Sequence, residues 1–95
     1  VMEKAGRGKI FLTGGGFALE PEPAYGSLSL GKAALRNLAF NLHKQFSPIN
    51  IHVATVTICG HINPEDDKYS PSLIAEQYWS LWQQQGEDRE KEIIY

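Results

Sequence analysis

Few side chains in this chain stand where they could move a proton or hold a ligand. Most of them fall in one stretch, AYGSLSLGKAALRNLAFNL, residues 24–42. Lys32 is the one cation in the middle of it. A lysine one helical turn from a phenol favours phenolate and lets a tyrosine exchange protons below its usual pKa of about 10. Such a pair needs a spacing of four, because residues i and i+4 share a helix face. The residue four before Lys32 is Leu28, which has no proton to give. Tyr25 stands seven residues before the lysine, and two helical turns are roughly 10 Å, beyond such coupling. Ser27 and Ser29 read as caps or polar helix positions, Ser29 lying about 100° of helix turn from Leu28.

The remaining candidates are scattered. His43, His52 and His61 belong to different elements, with no cysteine or carboxylate at ligand spacing, so no metal is expected. His61 sits in a loop that would border a pocket, although a solvated loop histidine is the simpler reading. Cys59 is read as a small buried residue at a strand end. Gly14, Gly15 and Gly16 permit positive φ and a close approach by a ligand, or simply make a flexible turn.

Alternating structure must position these groups. GKIFLTG, residues 8–14, is an apolar run without polar alternation, which suits a strand buried on both faces of a parallel sheet. A loop marked by Pro21 and Pro23 leads to a long helix, Ser27 to Gln45, with Ser27 or Ser29 as its cap. Leu28, Leu35, Leu38, Leu42 and Phe46 keep helical spacing, and Ala33, Ala34, Ala39 and Phe40 widen the apolar surface around the helix. A helix apolar on two sides needs a sheet on one and a helix or subunit on the other. Pro48 ends it, and INIHVATVTI, residues 49–58, is the clearest strand. A polar loop follows, then a second helix from Pro71 or Ser72 to Gln85, capped by Ser70. Leu73, Ile74, Tyr78, Leu81 and Trp82 carry its stripe, and Trp79 and Trp82, with Tyr78, are expected to pack it over the pocket or against the sheet. GEDREKE reads as a solvated linker and IIY as a short last strand.

The order strand, helix, strand, helix, strand favours right-handed βαβ connections in a parallel sheet. Ligands in such sheets sit at the C-terminal ends of the strands, where both candidate loops begin. With 95 residues the chain forms one unit, read here as a single partial Rossmann-like domain over residues 1–95. The opening Val-Met-Glu-Lys resembles the end of a helix, which raises the expectation of a longer polypeptide upstream. The net charge of −2 and the scattered Lys and Arg give no case for nucleic acid or an anionic membrane. No apolar run has transmembrane length. One cysteine excludes an intrachain disulfide and fits a reducing, cytoplasmic setting.

GKIFLTGGG, SLSLGKAALRNLA and INIHVATVTICGHI, in that order and spacing, resemble the C-terminal half of a short-chain dehydrogenase/reductase. The resemblance implies a Rossmann-type oxidoreductase that uses NAD or NADP when intact. It implies that Lys32 is the lysine of the Tyr-x-x-x-Lys motif, lowering the tyrosine's pKa and holding the nicotinamide ribose. The tyrosine position is Leu28 and the catalytic serine position is Gly15. Tyr25 is the only nearby substitute acid. In the Pro-Gly-x-Val/Ile-x-Thr loop that wraps the nicotinamide, Gly60 and Ile62 match, while Cys59 and Pro64 replace the proline and the threonine. The cofactor-binding set implied for this chain is thus Lys32, Gly60 and Ile62. The glycine-rich turn that receives the pyrophosphate is not in the sequence, so no cofactor is expected on this chain alone. Three readings follow: a degenerate or inactive reductase, a non-catalytic relative kept for cofactor sensing or subunit association, or a classical enzyme with a relocated acid such as Tyr25. Self-association through the Ser27–Gln45 helix is expected, as relatives pair this helix across a dimer interface.

Overall fold

The computed structural model describes residues 1–95. A short helix, α1 (Met2–Ala5), ends at Gly6 in the left-handed conformation, φ 66°. Then come β1 (Gly8–Gly15), α2 (Gly26–Phe46), β2 (Ile51–Ile58), α3 (Pro71–Gln83) and β3 (Glu92–Ile94). The three strands form one parallel sheet in the order β1-β2-β3, with Gly8 opposite Ile51, Gly15 opposite Ile58, and Thr55 opposite Glu92. This is the α/β architecture that the alternating pattern predicts, including the short last strand.

β2 is central, and all eight of its residues are buried. A strand paired on both edges and covered on both faces has no solvated side, so Val, Ile, Ala and Thr fill it apart from His52. Ala54, Val56 and Ile58 point to one face, where Ile74 and Leu81 of α3 complete the core with Phe11, Tyr78 and Ile93 packed around it. β1 differs from the expectation of a strand buried on both faces: within these 95 residues it pairs with β2 alone, and only Gly14 in it is buried.

α2 begins at Gly26, and neither serine caps it: Tyr25 holds the N-cap position without a side-chain bond. Ser29 instead turns inward, accepting from the Glu22 backbone N–H at 3.2 Å, and so ties the Pro21–Pro23 loop to the helix. Ala39 is buried and Leu35, Leu42 and Phe46 are half-buried, but Leu38 lies outside that stripe and is 50% exposed. α3 stops at Gln83 because Gln84 turns extended, and its side chain then clasps the backbone N–H and carboxylate of Glu90 at 2.8 Å each. Ser70 is at the N-cap of α3, but its hydroxyl meets Ser72 rather than a helix N–H. Trp79 and Trp82 are exposed, contrary to their expected packing role. Lys9 covers Trp82, 4.6 Å from the ring centroid, and donates to the Trp82 carbonyl. Tyr78 does the packing on that side, with its hydroxyl bonded to Thr13.

Candidate functional site

β1 and β2 end side by side at Gly15 and Ile58, and the segments that leave them diverge around a cleft of about 800 Å³. Gly15 and Gly16 form its floor, Leu28 and Lys32 of α2 one wall, and Cys59, Gly60 and His61 the other. Phe17, Pro21 and Glu22 separate it from a second hollow of about 420 Å³ that reaches Ser29 and Ala33.

Lys32 lies across Gly15. A Cβ at Gly15 would stand 3.2 Å from Lys32 Cε and 3.3 Å from Cδ, tighter than ordinary contact. The missing side chain is therefore what lets the lysine stem lie flat on the strand end and carry its ammonium into the cleft. Gly16 is similarly constrained, since a Cβ there would be 3.1 Å from Cys59 Cα. Gly60 packs directly under the Tyr69 ring, with no space for a side chain. That loop is held by Asp66, whose carboxylate accepts from the backbone N–H groups of Tyr69 and Lys68 at 2.8 Å each. These bonds, Tyr69 first, keep the Asp66 carboxyl below its ordinary pKa.

The structure brings Lys32, Leu28, Gly15 and Gly60 to one cleft. Ile62 is exposed, one residue beyond the lining. Tyr25 does not line it either; its ring stacks on Phe17 at 5.6 Å, nearly parallel at 14°. Cys59, expected to be buried, is exposed at the cleft wall as a free thiol. Its peptide N–H bonds to the Tyr95 carbonyl at 3.1 Å, and that backbone pairing turns the side chain out of the sheet. Of the histidines, only His61 borders the cleft. His43 and His52, read as belonging to separate elements, meet across the α2–β2 contact with ring centroids 6.2 Å apart. Each donates to a backbone carbonyl at 2.7 Å, His43 to Val53 and His52 to Glu90. No three His, Cys, Asp or Glu side chains converge on a metal-sized point.

One charged group was hidden in the linker read as solvated. Glu92 opens β3 and faces inward, where Arg36 of α2 grips it through Nε at 2.6 Å and Nη2 at 2.8 Å. Thr57 of β2 donates to the same carboxylate at 2.7 Å. The Arg36 bonds hold the Glu92 carboxyl below its ordinary pKa, against the opposing effect of burial and with help from Thr57. The available signal was an acid immediately before an apolar strand. A three-residue strand does not say which of its faces that acid takes.

What the cleft can do follows from its groups. The ammonium of Lys32 can donate hydrogen bonds to a hydroxyl-bearing or anionic ligand, and the glycine floor allows close approach. Neither Leu28 nor Gly15 can give or take a proton. The residues present fit the ribose and nicotinamide end of a dinucleotide; no glycine-rich turn at a helix N-terminus is there to receive its pyrophosphate.

Neither a protein-family model nor a curated protein matches the sequence. Among solved structures, the crystal structure of a short-chain dehydrogenase from Rhodopseudomonas palustris superposes with a TM-score of 0.82 and 30% sequence identity. The match covers 99% of this chain and 40% of that one. A likeness that takes in nearly every residue here settles the architecture: these 95 residues are folded as part of a short-chain dehydrogenase-like Rossmann fold.

Proposed function

We propose that the chain is the C-terminal part of an atypical short-chain dehydrogenase/reductase, an NAD(P)-binding protein when intact, in which standard carbonyl reduction is lost or degenerate. The observation that carries this is Lys32 lying over Gly15 beside Leu28: the ribose-holding cation is kept, and both proton-handling positions are apolar or bare. In that protein Lys32 would hold the nicotinamide ribose, and the backbone at Gly60 and Ile62 would flank the nicotinamide. A bound nicotinamide supplies hydride chemistry. This chain's residues would orient it and exclude water on one side, with no phenol set to protonate an alkoxide. Tyr25 is held by Phe17 and does not line the cleft.

The test is fluorescence titration of the full-length polypeptide with NADH and NADPH, with carbonyl reduction assayed in parallel. The expected result is micromolar-to-millimolar binding, at least about tenfold weaker in Lys32→Ala, as loss of one charge-assisted contact implies. No binding by the unaltered protein would overturn the reading. Binding with ordinary turnover would overturn the loss of chemistry.

A second reading, retention for subunit association, rests on the outer face of α2. Leu30 is 73% exposed and Leu38 is 50% exposed, with Ala34 between them on the same face. A second copy docking by that face would cover them. Light scattering showing a monomer across the accessible concentration range would dismiss it.

A further inference from the structure

His52 is fully buried at the start of the central strand, and the cofactor reading gives it no role. Its Nε2–H donates to the Glu90 carbonyl at 2.7 Å. The neutral ring then carries its lone pair on Nδ1, which is buried and has no partner. The Phe11 ring of β1 lies near-perpendicular to the imidazole at 5.6 Å between centroids and carries no oxygen or nitrogen acceptor. The ionisable groups facing the imidazole from the packed elements are Lys9 of β1, His43 of α2 and Arg89 of the α3–β3 connection. All are cations or become cations in acid. The Glu90 carboxylate is turned away, bonded to Gln84 Nε2 at 2.8 Å. Arg89 Nε is itself buried without a partner, so this corner already holds more positive donors than acceptors.

A proton on Nδ1 would create a buried N–H with no acceptor and a buried charge among like charges, both unfavourable. The least costly relief is to move the connection, residues 84–91, which is largely exposed and joined to β2 here by the His52–Glu90 bond and by Thr55 N–H to the Lys91 carbonyl at 3.0 Å. We propose that His52 is an acid-sensitive latch: when its imidazole takes up a proton, the 84–91 connection opens from the start of β2. Burial, with Arg89, His43 and Lys9 adding to it, holds its pKa below the ordinary histidine value, against the bond to Glu90. The folded state therefore resists protonation more than the open state does. Protection is complete at neutral pH and is lost as pH falls below the open-state value of about 6.5, ceasing to fall once the folded form is itself protonated.

The test is amide hydrogen exchange at Thr55, read as a protection factor corrected for the intrinsic pH dependence, from neutral pH to about pH 5. Protection in the unaltered protein should fall by up to roughly tenfold per pH unit, as one linked proton requires. In His52→Gln, whose amide still donates to Glu90 but takes no proton, the fall should vanish; in His43→Gln it should remain. An equal fall in His52→Gln, or its loss in His43→Gln alone, would overturn the proposal. NMR titration of the imidazoles in the unaltered protein needs no variant to fold. A His52 ring that titrates at the ordinary value would overturn the proposal by itself.

Discussion

Replacing Arg36 with Met should destabilise the protein more than any other single change of a half-exposed residue. The Glu92 side chain is 8% exposed and accepts three hydrogen bonds, two of them from Arg36. Methionine keeps most of the stem volume and removes both charge-assisted bonds, leaving a carboxylate with Thr57 alone. Breaking a fully buried pair this way costs about 3–5 kcal/mol, because a buried charge is left uncompensated. The Arg36 side chain is 31% exposed, so water can partly replace it, and about 2 kcal/mol is the expected loss. For a chain of this length that corresponds to a fall in melting temperature of about 10 °C.

The pH dependence sharpens the test. In the unaltered protein Glu92 has a folded pKa below its unfolded value, so its contribution is present above that value, about 4.3, and disappears as pH falls through the folded pKa. In Arg36→Met the largest lowering influence is gone and burial pushes the pKa up. The glutamate's contribution then reverses sign and is lost as pH rises through the new folded pKa. The difference between the two proteins should thus be largest at neutral pH and close in acid, once Glu92 is protonated in both. Urea unfolding monitored by circular dichroism measures this. A loss below about 0.5 kcal/mol at neutral pH, the scatter of ordinary surface changes, would refute the reasoning. So would a loss that persists undiminished in acid. Arg36→Met combined with Glu92→Leu should recover much of the loss, since no unpaired charge then remains.

Two further outcomes follow from packing. Leu81 is fully buried between α3 and the sheet, so Leu81→Ala should lose about 3 kcal/mol of unfolding free energy, measured in the same urea titration. Gly60→Ala should shift the Tyr69 ring off the loop, because the new methyl would overlap it; loss of the Tyr69–Tyr95 edge contact, now 5.7 Å between centroids, should appear as altered aromatic shifts by NMR with little change in melting temperature.

Much of this architecture is legible in the chain because its periodicities are strong. A run rich in β-branched residues, interrupted only by His52 and Ala54, predicts β2, and complete burial suits such a run. The same logic goes further than the structure at β1. GKIFLTG is nearly as apolar as β2, yet within these residues β1 is mostly half-buried, because pattern alone does not say how completely the neighbouring elements cover a strand. Helix faces are legible only to within the breadth of the apolar arc. α2 has apolar residues nearly all round, so which leucine faces the sheet depends on a rotation that spacing leaves open; Leu38 fell outside and Ser29 inside. Long-range polar pairs are less visible still. Arg36 and Glu92 lie 56 residues apart, and only the parallel register of β3 on β2 brings them together. The same holds for His43 and His52, which are near in sequence but meet only because the chain reverses between α2 and β2.

The cleft and the sheet beneath it rest on largely different side chains. Leu28 is exposed on the cleft wall, and no fully buried contact depends on it. Gly15 is different. Its bare backbone lets the Lys32 stem lie close over it. A Cβ at position 15 would need that flexible stem to give by a few tenths of an ångström. Meanwhile the bonds that hold the elements together lie below the cleft: the Arg36–Glu92–Thr57 cluster, the buried β2 residues and the Ile74–Leu81 face of α3. Of these groups only Ile58 also lines the cleft, where it ends β2. Lys32, Leu28 and Gly15 belong to none of them, so a change of side chain at position 28 or 32 should alter what the cleft can hold while leaving the packing of the sheet in place.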